Sequence, residues 1–451
     1  MRALRQAFLI FAVLMAPAIA TATASPSSYF VLDNGLRVLL QEKRGLPLTG
    51  MALAIDLGTK DETDETSGYV HLLEHMLLFG AAGDADSESR QAEFRRHGAA
   101  CNAHTDHDLT TFEISCPADE SAWALEQMRR TVFDAHMDPR QLESEKCIIL
   151  QEILQLRDDP DTLGQLMVME SLFAGHPYGR PVYGDGANLK AASVDSLQAF
   201  YRPRLLPGRC ALAVVGDFTL ADMEGEVRRR WGAMPEGGTP PADMPDPGRL
   251  EKSREQQLEL DVQESHLFIG WRAPAFNDAM RLPFRLLTHI LGRGWNPLFL
   301  QVLRGRRRLV ERVSMGYYPL RGDGMAMLHL ILDQREIRAA KSEVAAFLSR
   351  ITSFHFSKRD VLPQQRTGVL DYLESAQNQV EYENGSFHES ALNLSVAAAR
   401  FLLLQRGAIA GSYLENVRRV TSADLRRAAG RFLSGKKWVV VAITPLAGRG
   451  K

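Results

Sequence analysis

The stretch Tyr69–Phe79, YVHLLEHMLLF, carries His71, Glu74 and His75 in the order H-x-x-E-H. On an α-helix, positions i and i+4 stand one above the other on a single face. His71 and His75 can therefore hold one metal ion between them. Glu74 follows His71 by about one turn, which lets its carboxylate reach a water beside that metal. The order is the reverse of the H-E-x-x-H zinc helix, with the same division into two imidazole ligands and one carboxylate base. The alternative is a buried helix on which two histidines fall four apart by chance. The helix itself is well marked. Ser67 is placed to accept a bond at the N-cap, and Asp61, Glu62, Asp64 and Glu65 lie on the side that the helix dipole favours. Leu72, Met76 and Phe79 form an apolar stripe, and Gly80 is a natural stop.

A catalytic zinc takes three protein ligands and keeps one position open, so two histidines need a third side chain. Residues 138–159, DPRQLESEKCIILQEILQLRDD, read as a long amphipathic helix that opens at Asp138 and Pro139 and stops at Pro160. Glu145 and Glu152 lie two turns apart on one face, with Ile148, Ile149 and Leu150 between them. Carboxylates turned toward a core need a partner or a metal. Two ordinary glutamates on a solvated face are the alternative.

H-x-x-E-H followed by an E-x6-E pair resembles the inverzincin metallopeptidases of family M16, the group of pitrilysin, insulin-degrading enzyme and mitochondrial processing peptidase. The resemblance runs along nearly the whole chain after its first residues. Phe30–Leu40 (FVLDNGLRVLL) resembles the family's opening hairpin, and Gly68 with His71–Gly80 its zinc helix. Cys101–Phe112 (CNAHTDHDLTTF) resembles its asparagine-bearing hairpin, and His176–Gly184 (HPYGRPVYG) and Ala211–Asp217 (ALAVVGD) also fit. The resemblance implies that His71, His75 and Glu152 ligate one zinc ion per chain, in the first half. It implies Glu74 as general base and Glu145 as the carboxylate that orients a ligand histidine. It assigns Asn102 to the substrate backbone, a structural turn asparagine being the alternative. An extended peptide would add to a sheet edge, for which Thr110–Cys116 (TTFEISC) is the candidate.

The chain has 451 residues, is 45% hydrophobic and 24% charged, and carries a formal net charge of −2. Such a composition suits more than one globular core and gives no bulk electrostatic case for nucleic acid. Residues 1–24 read as a cleavable signal peptide: Arg2 and Arg5, then a mainly apolar run, then small residues at Ala20–Ala24. The expected location is periplasmic or secreted, without stable membrane insertion. Cys101, Cys116, Cys147 and Cys210 permit disulfides in such a compartment. Cys101 and Cys116 would face each other if Thr105–Asp108 is a hairpin turn, and four buried thiols are the equal alternative.

Two related halves are legible. Ser193–Asp217 reads helix then strand (Cys210–Val215), and Thr421–Pro445 repeats the order with strand Trp438–Ile443, Leu197 corresponding to Leu425. The expected fold class is α+β: two homologous domains of the M16 type (LuxS/MPP-like) joined by a linker, clam-like. The expected divisions are a zinc-bearing domain over 25–231, a linker over 232–250 and a second domain without a zinc motif over 251–446. Within the second domain, Met280–Leu291 and Arg338–Ile351 read as helices. The first of these takes the place of the zinc helix but has only His289, a packing residue.

One departure from the family pattern bears on partners. Active members often carry in their second half an arginine, followed seven residues later by a tyrosine, that contacts substrate. Arg304 stands at the arginine position, but Glu311 stands at the tyrosine's, and Tyr317 and Tyr318 belong to the next strand. Arg304, Arg306, Arg307 and Arg308 read as a solvated basic face, or else as a site for an acidic substrate or partner. The expected assembly is a homodimer, or a heterodimer with a paralogous subunit supplying the arginine–tyrosine pair. The expected activity is zinc-dependent hydrolysis of peptides or unfolded segments. The alternatives are a non-catalytic subunit and a zinc-dependent peptide-binding module.

Overall fold

The computed structural model describes residues 25–78, 80–82, 86–237, 244–248, 250–360, 371–405 and 413–446. The signal-like segment 1–24, Phe79 and the middle of the expected linker lie outside the described residues. The first half builds a mixed six-stranded sheet from β1 (Ser27–Val31), β2 (Arg37–Glu42), β3 (Leu48–Ile55), β4 (Ala100–Thr105), β5 (Thr110–Pro117) and β6 (Cys210–Gly216), in the order β1-β2-β6-β3-β5-β4. The second builds a five-stranded sheet from β7 (Arg254–Leu260), β8 (Ser265–Ala273), β9 (Arg312–Tyr318), β10 (Gly324–Leu332) and β11 (Val439–Pro445), in the order β9-β10-β8-β11-β7. Without β1 the two orders are the same, read by position in each half. In each, the last strand pairs parallel with the first of the shared set, β6 with β2 and β11 with β7. The corresponding residues Leu197 and Leu425 are both fully buried.

Four helices matter for the site: α1 (Tyr69–Leu78), α2 (Pro139–Asp158), α3 (Pro160–Leu172) and α4 (Ala391–Leu404). α3 belongs by sequence to the first half, yet Val168, Met169 and Leu172 pack with Phe268, Met327 and Val441 of the second sheet. α4 belongs to the second half, yet Val396, Ala398 and Ala399 pack with Leu39, Ala52, Ala54 and Ala213 of the first. Each half thus covers one face of the other's sheet. Alternation along β3 explains how: Met51, Leu53 and Ile55 enter the core beneath α1, while Gly50, Ala52 and Ala54 make a smooth face for α4. The same device serves β8, where a Cβ on Gly270 would lie 2.2 Å from Val168 Cγ1.

The structure changes several expectations. Thr110–Cys116 is not an edge, because β5 already pairs with β3 on one side and β4 on the other; the edge strand on that side is β4, and β1 is the opposite edge. Cys101 lies opposite Ile114, and all four cysteines are free thiols, two of them exposed. The second-half counterpart of the zinc helix is α-helical only over Arg281–Thr288 and passes into a π-helical stretch over His289–Arg293. Arg338–Ile351 is observed as Ile337–Leu348. Among the described residues, no helix is long and apolar enough to cross a membrane.

The start of α1 also differs. Ser67 does not cap it. Gly68 takes φ +99°, a conformation open to glycine, and the N–H of Val70 donates to Glu62 Oε1 at 2.8 Å. The acidic cluster upstream therefore supplies the cap, through one buried carboxylate. Burial pushes the Glu62 carboxyl up to about 8, against the opposing pull of the Val70 and Gly68 N–H groups.

Two measurements test this frame. A Cβ on Gly50 would meet the Leu392 backbone nitrogen at 2.4 Å, so Gly50→Val should destabilise the protein by about 1–3 kcal/mol, the usual range for overpacking; denaturant unfolding checks it. Glu62 has its folded pKa raised above the ordinary glutamate value of about 4.3, so its contribution is full below that value and is lost as pH rises toward about 8. Glu62→Gln, which keeps the acceptor oxygen, should show a melting-temperature advantage over the parent that grows from pH 5 to pH 8 and then levels off.

Candidate metal centre

α1 is buried along almost its whole length. Leu72, Leu73, Met76 and Leu77 belong to the core under the first sheet, which turns His71, Glu74 and His75 toward α2. α2 is fixed at its start by Asp138, whose carboxylate accepts from the N–H groups of Arg140 and Gln141, with Pro139 in the first turn. It ends where expected. Asp159 closes it and at once caps α3, whose first residue is Pro160. Of the glutamate pair, Glu145 is buried and Glu152 is half-buried.

Glu152 Oε2 lies 3.8 Å from His71 Nε2 and 3.8 Å from His75 Nε2. The three ligand atoms all lie within 4.8 Å of one another. Tetrahedral zinc, with bonds of about 2.0–2.1 Å, sets its donors about 3.3 Å apart, so side-chain rotation alone can close the set. Two imidazole nitrogens and one carboxylate oxygen, with one position left open, is a donor set zinc takes at catalytic sites. The residues present therefore fit the ion that the motif implies.

The surroundings prepare each ligand. Glu145 Oε2 sits 3.0 Å from His75 Nδ1, so the carboxylate holds that nitrogen and fixes the ring with Nε2 toward Glu152. Burial would lower the His75 pKa, but the bond to Glu145 and the charges of Glu74 and Glu152 outweigh it and raise the pKa. His71 has no such carboxylate. Its Nδ1 is buried without a hydrogen bond, and its ring meets that of Tyr183 edge-on at 5.0 Å. Burial, assisted by His75, pushes His71 down to about 3 and keeps it in the neutral form that binds metal. Burial likewise raises Glu152, against the pull of His75.

Glu74 is buried beside these groups. Burial pushes its carboxyl up to about 7, although Thr105 donates hydrogen bonds to it and His75 favours its charged form. Thr105 is the last residue of β4 and was not foreseen. Neither was Tyr183, which follows from a close backbone approach: a Cβ on Gly184 would lie 2.1 Å from the Gly68 Cα. The signal for both was present, since Thr105 stands in the asparagine-bearing segment and Tyr183 in HPYGRPVYG.

The fold thus brings together His71, Glu74, His75, Glu145 and Glu152. It does not join the two expected substrate residues to them. Asn102 lies on β4, where its Nδ2 donates to Glu113 Oε1 at 3.0 Å. Its side chain shares a face with His104, whereas Ala103 enters the core that contains α1. Arg304 is exposed in a π-helical stretch, Leu300–Arg306, and its charge is felt by Glu311.

A family model described as Insulinase (Peptidase family M16) matches residues 37–186, and one described as Peptidase M16 inactive domain matches residues 191–366. An uncharacterized zinc protease of Mycobacterium bovis is 26% identical over 284 residues, 62% of this chain and 65% of that protein. The chain therefore matches less than two thirds of that relative's length. An uncharacterized zinc protease of Bacillus subtilis is 22% identical, covering 66% of this chain and 72% of its own. Among solved structures, a protease from Helicobacter pylori is similar with a TM-score of 0.81 at 17% identity, covering 93% of this chain and 100% of that one. A peptidase M16 inactive domain from Pseudomonas fluorescens gives 0.79 at 20% identity, covering 94% and 100%. The structural likenesses speak for the fold alone, but the two family models together take in most of the sequence, and on that ground the chain belongs to peptidase family M16.

Proposed function

We propose that this chain is a zinc-dependent endopeptidase acting on peptides or unfolded segments. The observation that carries the reading is a buried carboxylate, Glu74, on the same helix turn as two histidines that converge with Glu152. His71, His75 and Glu152 would hold the zinc, one ion at this centre. When bound there, zinc supplies Lewis acidity toward a water and a scissile carbonyl.

The chain's own groups do the rest. Glu74 takes the proton from the attacking water and hands it to the leaving amine, and Thr105 holds its carboxylate in place. A side chain raised to about 7 by burial can both accept and give up a proton near neutral pH. Glu145 keeps the His75 ring aimed. An extended substrate would add as a strand to β4, the edge of the first sheet, through backbone hydrogen bonds. Because the Asn102 amide already serves Glu113, the backbone of β4 is the better assigned substrate contact.

Two further proposals rest on sequence. Residues 1–24 direct export to the periplasm or beyond, and the chain works as a dimer. The replacement of the family's tyrosine by Glu311, whose acid group faces Glu264, favours a paralogous partner that supplies an arginine–tyrosine pair.

Cleavage of an unstructured peptide library should stop with a chelator and return with zinc. Glu74→Gln should retain zinc and lose activity by about 10²–10⁴-fold, the range for general acid–base catalysis. Glu152→Ala should lose zinc and activity together, read by metal analysis on the same samples. A Glu74→Gln protein that keeps full activity, or a fully zinc-loaded Glu152→Ala protein, overturns the assignment of roles. Inactivity of the zinc-loaded chain alone, with activity restored by a paralogous subunit, is the result expected of the paired arrangement.

A further inference from the structure

We propose a second divalent-metal site at the seam between the halves, formed by Asp161 of α3, His266 of β8 and His329 of β10. It runs against the expectation of a single zinc per chain. The three donors come from both halves of the sequence. α3 lies along β8 so that Asp161, Gly164 and Val168 meet His266, Phe268 and Gly270 in turn. Asp161 Oδ1 is 3.0 Å from His266 Nδ1. A Cβ on Gly164 would lie 2.1 Å from the Phe268 ring, and one on Gly270 would lie 2.2 Å from Val168. His329 stands opposite Phe268 in the β8–β10 ladder, which puts it on the same face.

The geometry is tighter than at the first centre. His266 Nδ1 lies 3.1 Å from His329 Nε2, and His329 Nε2 lies 3.6 Å from Asp161 Oδ1. Those separations, with the 3.0 Å between Asp161 and His266, bracket the value of about 3.3 Å that tetrahedral zinc imposes on its donors. Protons alone serve the cluster poorly. The Nδ1 of His266 faces both His329 Nε2 and Asp161 Oδ1, and one hydrogen on it reaches only one of the two. Asp161 Oδ1 is buried without a directed hydrogen bond, although it is close to both rings. One cation at the centre satisfies all three atoms at once.

The frame around the cluster is rigid. Phe268 stacks on His329, ring centroids 4.2 Å apart and planes 9° apart, and both histidines are buried. Arg312, the nearby cation, pairs with Glu264 at 3.3 Å. The Asp161 side chain is 36% exposed and leaves a path for entry. Two histidines and one carboxylate favour a transition metal of zinc's class over calcium or magnesium. Bound there, it would staple the start of α3 to the second sheet.

The probe is zinc itself, with the first centre disabled. Full-length His71→Ala/His75→Ala protein is loaded with zinc, dialysed and analysed for metal. One equivalent should remain, and it should vanish when His329→Gln or His266→Asn is added. Zinc should raise the melting temperature of the parent double variant and leave that of each triple variant unchanged. Cobalt in place of zinc should give the visible absorption of a four-coordinate site, absent from the triple variants. Two seam variants guard against one failing to fold, since either alone carries the test when its metal-free melting curve stays cooperative. A double variant without bound zinc, or equal metal content with and without the seam histidines, overturns the proposal. Neither result touches the peptidase reading, because the first centre is absent from every sample.

Discussion

Each half of this molecule buries a helix against the sheet of the other, and that exchange positions the candidate metal centre. α3 leaves the first half and packs on β8 and β11, while α4 leaves the second and packs on β3, β2 and β6. Burial of apolar surface is worth about 25 cal/mol per Å², so faces covered in this way lock the halves more firmly than a polar hinge would. Small residues make the contact close. Gly50, Ala52 and Ala54 receive one helix, and Gly164 and Gly270 admit the other.

The site hangs on these two helices. Glu152 sits near the end of α2, which turns at Asp159 directly into α3, so its position is anchored through a helix held by the second sheet. Thr105, the partner of Glu74, stands just before the turn Asp106–Leu109. There Asp106 Oδ1 accepts from the N–H groups of Asp108 and Leu109 at 2.7 and 2.9 Å. Arg400 of α4 pairs with Asp106 and donates to Thr111 Oγ1 at 3.1 Å. Asp108 in the same turn accepts from Tyr178 Oη at 2.7 Å and from the Arg321 N–H at 2.8 Å. Burial would raise the Asp106 carboxyl, but Arg400 and the turn's own N–H groups hold it below its usual range. Breaking such a buried pair on one side costs about 3–5 kcal/mol. The second half thus braces the turn beside Thr105 and, through α3, the helix that carries Glu152.

Much of this was written plainly in the chain. The spacing of His71, Glu74 and His75 on a helix, and of Glu145 and Glu152 two turns apart between Asp138 and Pro160, needs only helical geometry to be read. The repeat of helix then strand showed the duplication. What sequence spacing cannot carry is contact between distant segments. Ser67 looked like the cap of α1, yet Glu62 reaches back to Val70 because Gly68 bends the chain between them. The resemblance offered Thr110–Cys116 as a sheet edge, but its neighbour β4 occupies that side. The cluster of Asp161, His266 and His329 has no local motif. It exists only because α3 crosses to the other sheet.

Duplication explains why the same frame serves two ends. In the first half, the helix after the third strand carries His71 and His75, and Thr105 at the end of the edge strand β4 meets Glu74 between them. In the second half, the equivalent helix turns π-helical at His289, whose Nε2 lies 3.6 Å from Glu383 and which burial holds well below the usual histidine range. A lone imidazole that neutral and that enclosed is packing. The second half turns polar groups to the seam: Arg321 to Asp56 at 2.8 Å, and His266 and His329 to Asp161. Asp56 stands between β3 and α1, and Asp161 stands in the first turn of α3, directly after α2. Second-half side chains thus hold first-half positions on either side of the helices that carry His71, His75 and Glu152.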